Sequence, residues 1–224
     1  MKRILLFSLL SALLCYNFQC GEEDDLCVGS AVYFQNLDFQ LSPRQTEYKL
    51  GDTLWLSNQL DVNLQPLEDE RTINVSNASG RILLFLANLN GGVDIKRGYA
   101  DFDIINVNGM LSQQDINTER ERIAQGTLEF FCDTISCRSE IGLIPKQRGI
   151  YCLIISKGQL QFDDNSTCGA SVRFESNAFD ADSQNKELFD AYNLPSTIRL
   201  PRANHGVLLW DIEKSAAAYT FQVQ

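Results

Sequence analysis

A single histidine, His205, stands among 224 residues, and its scarcity removes most familiar reaction centres. A serine or cysteine hydrolase needs a base beside its nucleophile. Every such mechanism would therefore run through Arg202-Ala-Asn-His205-Gly206, a loop-like stretch with no Gly-x-Ser-x-Gly elbow in the chain to accompany it. A surface or packing role fits that histidine better. Paired two-residue cysteine gaps are missing too, and His205 lies far from the cysteines, which argues against zinc. No motif calls for a cofactor. Positive charge is also short: 19 Lys plus Arg stand against 29 Asp plus Glu, a net charge of −10. That balance argues against nucleic acid, whose binders carry a basic face, and against electrostatic attachment to anionic lipid. No apolar run reaches the roughly 20 residues that a membrane-spanning helix needs. Repeats of fixed period and long Pro, Gly or Ser tracts are missing as well, so one domain is expected.

What is present begins at Met1. Lys2 and Arg3 precede an apolar run from Ile4 to Leu14, the layout of a secretory signal peptide. The residues before any ordinary cleavage point, Leu13 and Tyr16 to Gln19, are not small. Cys20 followed by Gly21, Glu22, Glu23, Asp24 and Asp25 looks instead like a bacterial lipoprotein signal, with Cys20 the acylated first residue and the acidic run a surface-sorting signal. The alternative is that Cys20 is a disulfide partner, for instance of Cys27. The expected division is therefore a signal peptide over 1–19, an acidic tether over 20–26 and a single β-sandwich over 27–224. Cleavage removes Lys2 and Arg3 and no acid, which leaves 17 basic against 29 acidic side chains, a net charge of −12. Membrane contact would come from the acyl chains, at the outer membrane or cell surface; secretion is the alternative.

Cysteine is plentiful for a reduced compartment, with seven in all. With Cys20 lipidated, Cys27, Cys132, Cys137, Cys152 and Cys168 remain, an odd number. The expected pairs are Cys132 with Cys137 and Cys152 with Cys168.

Strand signals dominate. Val32–Phe39, Glu47–Ser57, Arg71–Val75, Arg81–Leu86, Tyr99–Val107, Gly126–Cys132, Gly149–Ser156 and Ala170–Phe174 are β-branched or aromatic runs bounded by turn residues. Tyr219, Phe221 and Val223 alternate with polar residues, as a half-buried strand does. One helix is predicted over Ser183–Asn193, and Gln113–Ala124 reads as a short surface helix or a long loop. The fold class is mainly β: an antiparallel immunoglobulin-like β-sandwich with one or two short helices. Long insertions are expected between about Asn88 and Gly126 and between about Asn177 and Asn204.

Two segments carry a resemblance. Tyr48-Lys-Leu-Gly-Asp-Thr-Leu-Trp-Leu56 is similar to the turn and second strand of bacterial immunoglobulin-like domains. Ile144-Pro-Lys-Gln-Arg-Gly-Ile-Tyr151-Cys152 looks like the later corner of that fold, where a tyrosine hydroxyl bonds back to the backbone. Tyr151 stands one residue before its cysteine, where the antibody pattern has two. With the leader and the Tyr-Thr-Phe-Gln-Val terminus, these segments resemble a group of Bacteroidota surface lipoproteins of about 200 residues. The resemblance implies a fold and an address, and no activity.

The remaining motifs have plain readings. Glu68-Asp69-Glu70, Asp101 with Asp103, and Asp163-Asp164 could supply the carboxylate pair of a glycosidase, but such clusters arise by chance in an acidic chain. Asp180-Ala-Asp182-Ser-Gln184-Asn185 departs from the calcium loop at several positions, and capping of the following helix is simpler. Asn74-Val-Ser76, Asn77-Ala-Ser79 and Asn165-Ser-Thr167 match the glycosylation sequon and mark polar loops in a bacterial protein. Trp55 and Trp210 are sugar-stacking candidates; for Trp55 the strand face is ambiguous and a core role is favoured, and Trp210 ends a four-residue apolar run. The expected function is a non-catalytic binding or structural module of the cell envelope. A carbohydrate-binding accessory or a carboxylate-pair hydrolase is the alternative, and the partner, glycan or protein, stays open.

Overall fold

A computed structural model describes residues 31–90, 99–114, 123–162, 169–179, 186–194, 197–201, 207–211 and 217–224. The described strands are β1 (Ala31–Ser42), β2 (Glu47–Tyr48), β3 (Leu54–Asp61), β4 (Asn63–Leu64) and β5 (Ile73–Asn74). There follow β6 (Ser79–Asn88), β7 (Phe102–Asn108), β8 (Met110–Gln114), β9 (Ile123–Cys132) and β10 (Ser136–Pro145). The last are β11 (Gly149–Phe162), β12 (Ala170–Phe179), β13 (Thr197–Pro201), β14 (Val207–Asp211) and β15 (Ala218–Val223). A short helix, α1 (Lys186–Tyr192), lies within the expected helical window.

Eleven strands form one continuous sheet. In order, β12, β1, β3, β10, β9, β6 and β11 neighbour one another, and β11 pairs back to β12, closing a ring of seven. β15 and then β2 continue from β11, while β7 joins β10 and β8 joins β9. The pairings are antiparallel except β1–β12 and β15–β2. The mainly β class is as expected; a single barrel-like sheet takes the place of two separate ones. The ring is possible because β11 changes neighbours along its length, meeting β15 over 149–154 and β12 over 159–162.

Alternation decides which side chains fill the ring. Leu54 and Leu56 of β3, Ile82 and Leu84 of β6, and Ile141 and Leu143 of β10 belong to one large buried cluster. On β11 the inward phase changes: Leu153 and Ile155 are core, and so are Leu160 and Phe162. A bulge makes the switch, because Ile155 faces Leu84 and Gly158 faces Ile82, three steps on one strand against two on the other. Gly158 suits it, since a Cβ there would meet Ile82 at 2.7 Å and Phe174 at 2.9 Å. The expected strand Gly149–Ser156 stops at this bulge, whereas β11 runs through it.

Other boundaries shift for local reasons. The expected strand Glu47–Ser57 is cut by a turn in which Gly51 adopts φ +86° and Asp52 Oδ2 accepts from the Lys49 amide at 2.7 Å. β15 is not half-buried: Ala218 and Thr220 are as enclosed as Tyr219 and Phe221. A second, smaller core of Phe85, Ala87, Ile150, Cys152, Ile154 and Ala218 covers its other face, with Leu194 beyond α1 packed on it. Tyr151 makes the expected corner, its hydroxyl reaching the Gln147 carbonyl at 3.4 Å and Asp101 Oδ2 at 3.2 Å.

Cys132 and Cys137 are bonded, with an S–S distance of 2.00 Å, and stand opposite each other where β9 meets β10. The expected Cys152–Cys168 pair is corrected: Cys152 is a free thiol. Its side chain points into the small second core, and Cys168 lies outside the described residues, as do Cys20, Gly21 to Asp25 and Cys27. Burial pushes the Cys152 thiol up to about 12 from an ordinary 9.0. Native Cys152 should therefore react with maleimide at pH 8 about a thousandfold more slowly than in the unfolded chain. Peptide-resolved mass spectrometry reads this directly, and labelling of the folded protein at the unfolded rate would refute it.

Candidate functional site

The outer face of the ring carries a groove that crosses six strands. Register sets its central row: Glu129 faces Arg81, Arg81 faces Gln159, Gln159 faces Arg173 and Arg173 faces Phe34, while β8 contributes Ser112, which faces Thr127. Each lies opposite in phase to a core residue of its own strand, as Arg81 does to Ile82 and Arg173 to Val172. The β11 bulge is what turns Gln159 outward, since without it the phase of Tyr151 and Leu153 would put position 159 inside.

The groove encloses about 810 Å³ around this row, floored by Phe174 and walled by Ser112, Gln125 and Thr127. A smaller continuation of about 260 Å³ shares Arg81, Glu129 and Gln159 and extends past Ser79 and Gln161 to Phe131. Phe131 is 72% exposed. It projects from the end of β9, next to the Cys132–Cys137 bond. Asp133 shapes the turn that follows, accepting from the amides of Ile135 at 2.6 Å and Ser136 at 2.7 Å. These amides hold its carboxyl below the ordinary range.

The charges of the row are only partly matched. With its amide oxygen turned toward Arg81, Gln159 accepts from Nη2 at 2.7 Å and Nε at 3.1 Å. This fixes the guanidinium plane and leaves Glu129, on the other side, without a bridge to Arg81. Neither the Arg173 nor the Glu129 side chain has a hydrogen-bonding or charged partner among the described residues. The ion pairs that do form are elsewhere, such as Arg71 with Asp69 at 2.7 Å, which holds that carboxyl at about 2.

The residues singled out from sequence fall mostly away from this groove. Trp55 is half-buried on the outer face of β3, not in the core, and its ring lies over Gly142, where a Cβ would come within 2.9 Å of it. Asp101 and Asp103 are not a pair: Asp101 is fully buried beside Tyr151, and Asp103 is exposed and bridges Lys146 at 2.9 Å. Asn74 sits in β5, its amide donating to Asn63 at 2.8 Å. His205, Asp163, Asp164, Asp180, Asp182 and Asn165 lie outside the described residues, and Trp210 is described only as part of the β14 backbone. Among the described residues, no three His, Cys, Asp or Glu side chains are grouped to hold a metal, and no helix is long and apolar enough to cross a membrane. Arg81, Glu129, Gln159, Arg173 and Phe131 were not legible as a site. Their outward phase was readable, strand by strand, but not the order in which the strands stand side by side.

Chemically, the groove offers guanidinium, amide, hydroxyl and carboxylate groups on a rigid sheet. Among the described residues its lining includes one carboxylate, Glu129, where a glycosidase pair needs two. No family model and no curated protein matches the chain. Among solved structures, the cohesin module from the Clostridium perfringens ATCC13124 family 33 glycoside hydrolase is similar at 10% identity and a TM-score of 0.32, over 65% of this chain and 98% of that one. A non-cellulosomal cohesin from the hyperthermophilic archaeon Archaeoglobus fulgidus is similar at 10% identity and 0.26, over 70% and 99%. Likeness at this level carries no argument about partner or activity, which must come from the groove.

Proposed function

We propose that this chain is a non-catalytic binding module, that the six-strand groove is its binding face, and that a lipid on Cys20 displays it at the cell surface. The row Glu129–Arg81–Gln159–Arg173 carries the reading. Exposed charged side chains on a sheet normally neutralise one another across strands, and Arg173 and Glu129 have no such partner among the described residues. The hydrophobic leader, Cys20 and the acidic run behind it support the address, and the Tyr151 corner supports a scaffold of the immunoglobulin-like sandwich kind. A carboxylate-pair hydrolase is the weaker reading, because among the described residues the lining places no second acid beside Glu129.

The binding face is tested by retention on washed envelopes of the source cells. The full chain carrying Cys20→Ser, which removes the proposed lipid, should be retained, and the same chain with Ser112→Trp, which fills the groove without changing its charge, should lose retention by about tenfold or more. Equal retention of the two, or none by either, overturns the groove as binding face. The address is read from the mass of the mature N-terminal peptide: an acylated peptide beginning at Cys20 supports it, and an unmodified terminus elsewhere refutes it.

A further inference from the structure

We infer that the ligand of this groove is an acidic oligosaccharide, seated with a carboxylate between Arg81 and Arg173 and a sugar face against Phe131. The inference rests on the groove being the binding face, and adds what binds there.

Charge comes first. In a chain of net charge −10 the groove's central row holds two arginines and one acid, an excess of positive charge against the background. Arg81 and Arg173 stand on β6 and β12 with β11 between them, so their backbones are roughly 10 Å apart at the usual strand spacing. Two arginine side chains are long enough to reach across that gap to one carboxylate above Gln159. A guanidinium presents a planar fork that matches a carboxylate in bidentate fashion. Arg81 is oriented for this by Gln159, and Arg173 has its fork uncommitted among the described residues.

The rest of the lining matches hydroxyl groups, which both donate and accept. Gln159, Gln161, Ser79 and Ser112 supply amides and hydroxyls of both kinds, and Glu129 is an acceptor with no partner among the described residues. Phe131 gives the C–H face of a sugar ring an apolar surface to cover, and its 72% exposure otherwise leaves an aromatic ring in water. An acidic peptide fits less well. Protein partners seat apolar and aromatic anchors in a dry centre with charge at the rim, whereas here Arg81, Gln159 and Arg173 stand at the centre over a floor of Phe174, and Phe34 lies at one end. Extended peptides also add to a sheet edge, and β9, β6, β11 and β12 under this groove are each bonded on both sides.

Titration calorimetry on the full chain tests the inference, with oligogalacturonate, oligomannuronate and hyaluronan oligosaccharides as acidic probes. Carboxyl-reduced oligogalacturonate and an octaglutamate peptide are the controls. At least one acidic saccharide should bind, more weakly as salt rises. Arg81→Gln, Arg173→Gln and Phe131→Ala should each weaken it by about tenfold or more. These side chains are exposed, so an unchanged melting temperature confirms that the variants remain folded. The inference is overturned if no acidic saccharide binds at millimolar concentration, if the reduced saccharide binds as well as its parent, or if octaglutamate binds as tightly as the sugars. Envelope retention with Ser112→Trp judges the groove itself independently, since that variant leaves both arginines in place.

Discussion

Replacing Phe130 with alanine should cost about 3–5 kcal/mol of folding stability, the usual range for emptying a buried aromatic site. Phe130 lies on β9, fully buried, directly opposite Gly80 of β6. Its ring occupies the space a side chain at Gly80 would need, because a Cβ there would come to 2.4 Å from Cζ and 2.7 Å from both Cε atoms. The two positions are therefore one packing unit, an aromatic ring laid over a glycine. Gly80→Ala should on its own cost about 1–3 kcal/mol by overpacking. In the double variant Gly80→Ala/Phe130→Leu the added methyl finds room that the ring used to fill, so the combined loss should fall short of the sum of the single changes. Urea unfolding of the wild type, Gly80→Ala, Phe130→Leu and the double variant measures this. Strict additivity would mean that the ring and the glycine do not share the space as described.

In a Cys152→Ala background, which removes the one buried thiol that would titrate in the same range, raising the pH from 9 to 11 should remove roughly 4 kcal/mol of stability, with little change between pH 6 and 9. Tyr48, Tyr99 and Tyr151 are all enclosed in the main core. Burial raises each phenol above its ordinary value of 10.0, helped at Tyr48 by the neighbouring Tyr219 hydroxyl and at Tyr151 by the Asp101 carboxylate. The folded state thus favours the neutral phenol. For a group raised on folding, the contribution is complete below the unfolded value and is lost as pH climbs toward the folded one. Each phenol then loses about 1.4 kcal/mol per pH unit above 10, and three together give the figure stated. Urea midpoints at pH 7, 9 and 11, with phenolate absorbance followed in parallel, test this. Tyr99→Phe, which removes one of the three, should reduce the loss by about a third. A midpoint that holds steady to pH 11 would show that these rings ionise in place.

Periodicity reached most of the strands because their inward faces are strongly apolar, as in Ile82-Leu-Leu84 or Tyr219, Phe221 and Val223. It missed β10, the strand that holds β3, β7 and β9 together. Its inward positions include Ser139, a buried polar residue satisfied by Asn58 Oδ1 at 3.0 Å from its amide and 2.9 Å from its hydroxyl. A polar residue made tolerable by a partner 81 positions away leaves no local signal. Within the expected insertion after Asn88, β7 fills the expected strand Tyr99–Val107, whereas β8 leaves little signal because Leu111 is the one buried apolar side chain among its described residues. The groove was hidden more deeply. It exists only through cross-strand register, and that register depends on one extra residue in β11 ahead of Gly158. The disulfide was readable because Cys132 and Cys137 are close in sequence, and the thiol of Cys152 was misread because its surroundings come from β6 and β15.

The placement of β1 has a mechanical consequence. Its first nine residues are bonded to β12 in parallel, from Ala31 with Ala170 to Phe39 with Phe179, and only its last three reach β3. Tension arriving through the chain ahead of Ala31 pulls along β1, across hydrogen bonds that lie to its side. Those bonds are loaded together and yield together, as in shear, rather than opening one after another as in a hairpin unzipped from its end. A strand held in this way resists a pull along its own axis, and Phe34, which lines the groove on that same strand, keeps its position while the load is carried.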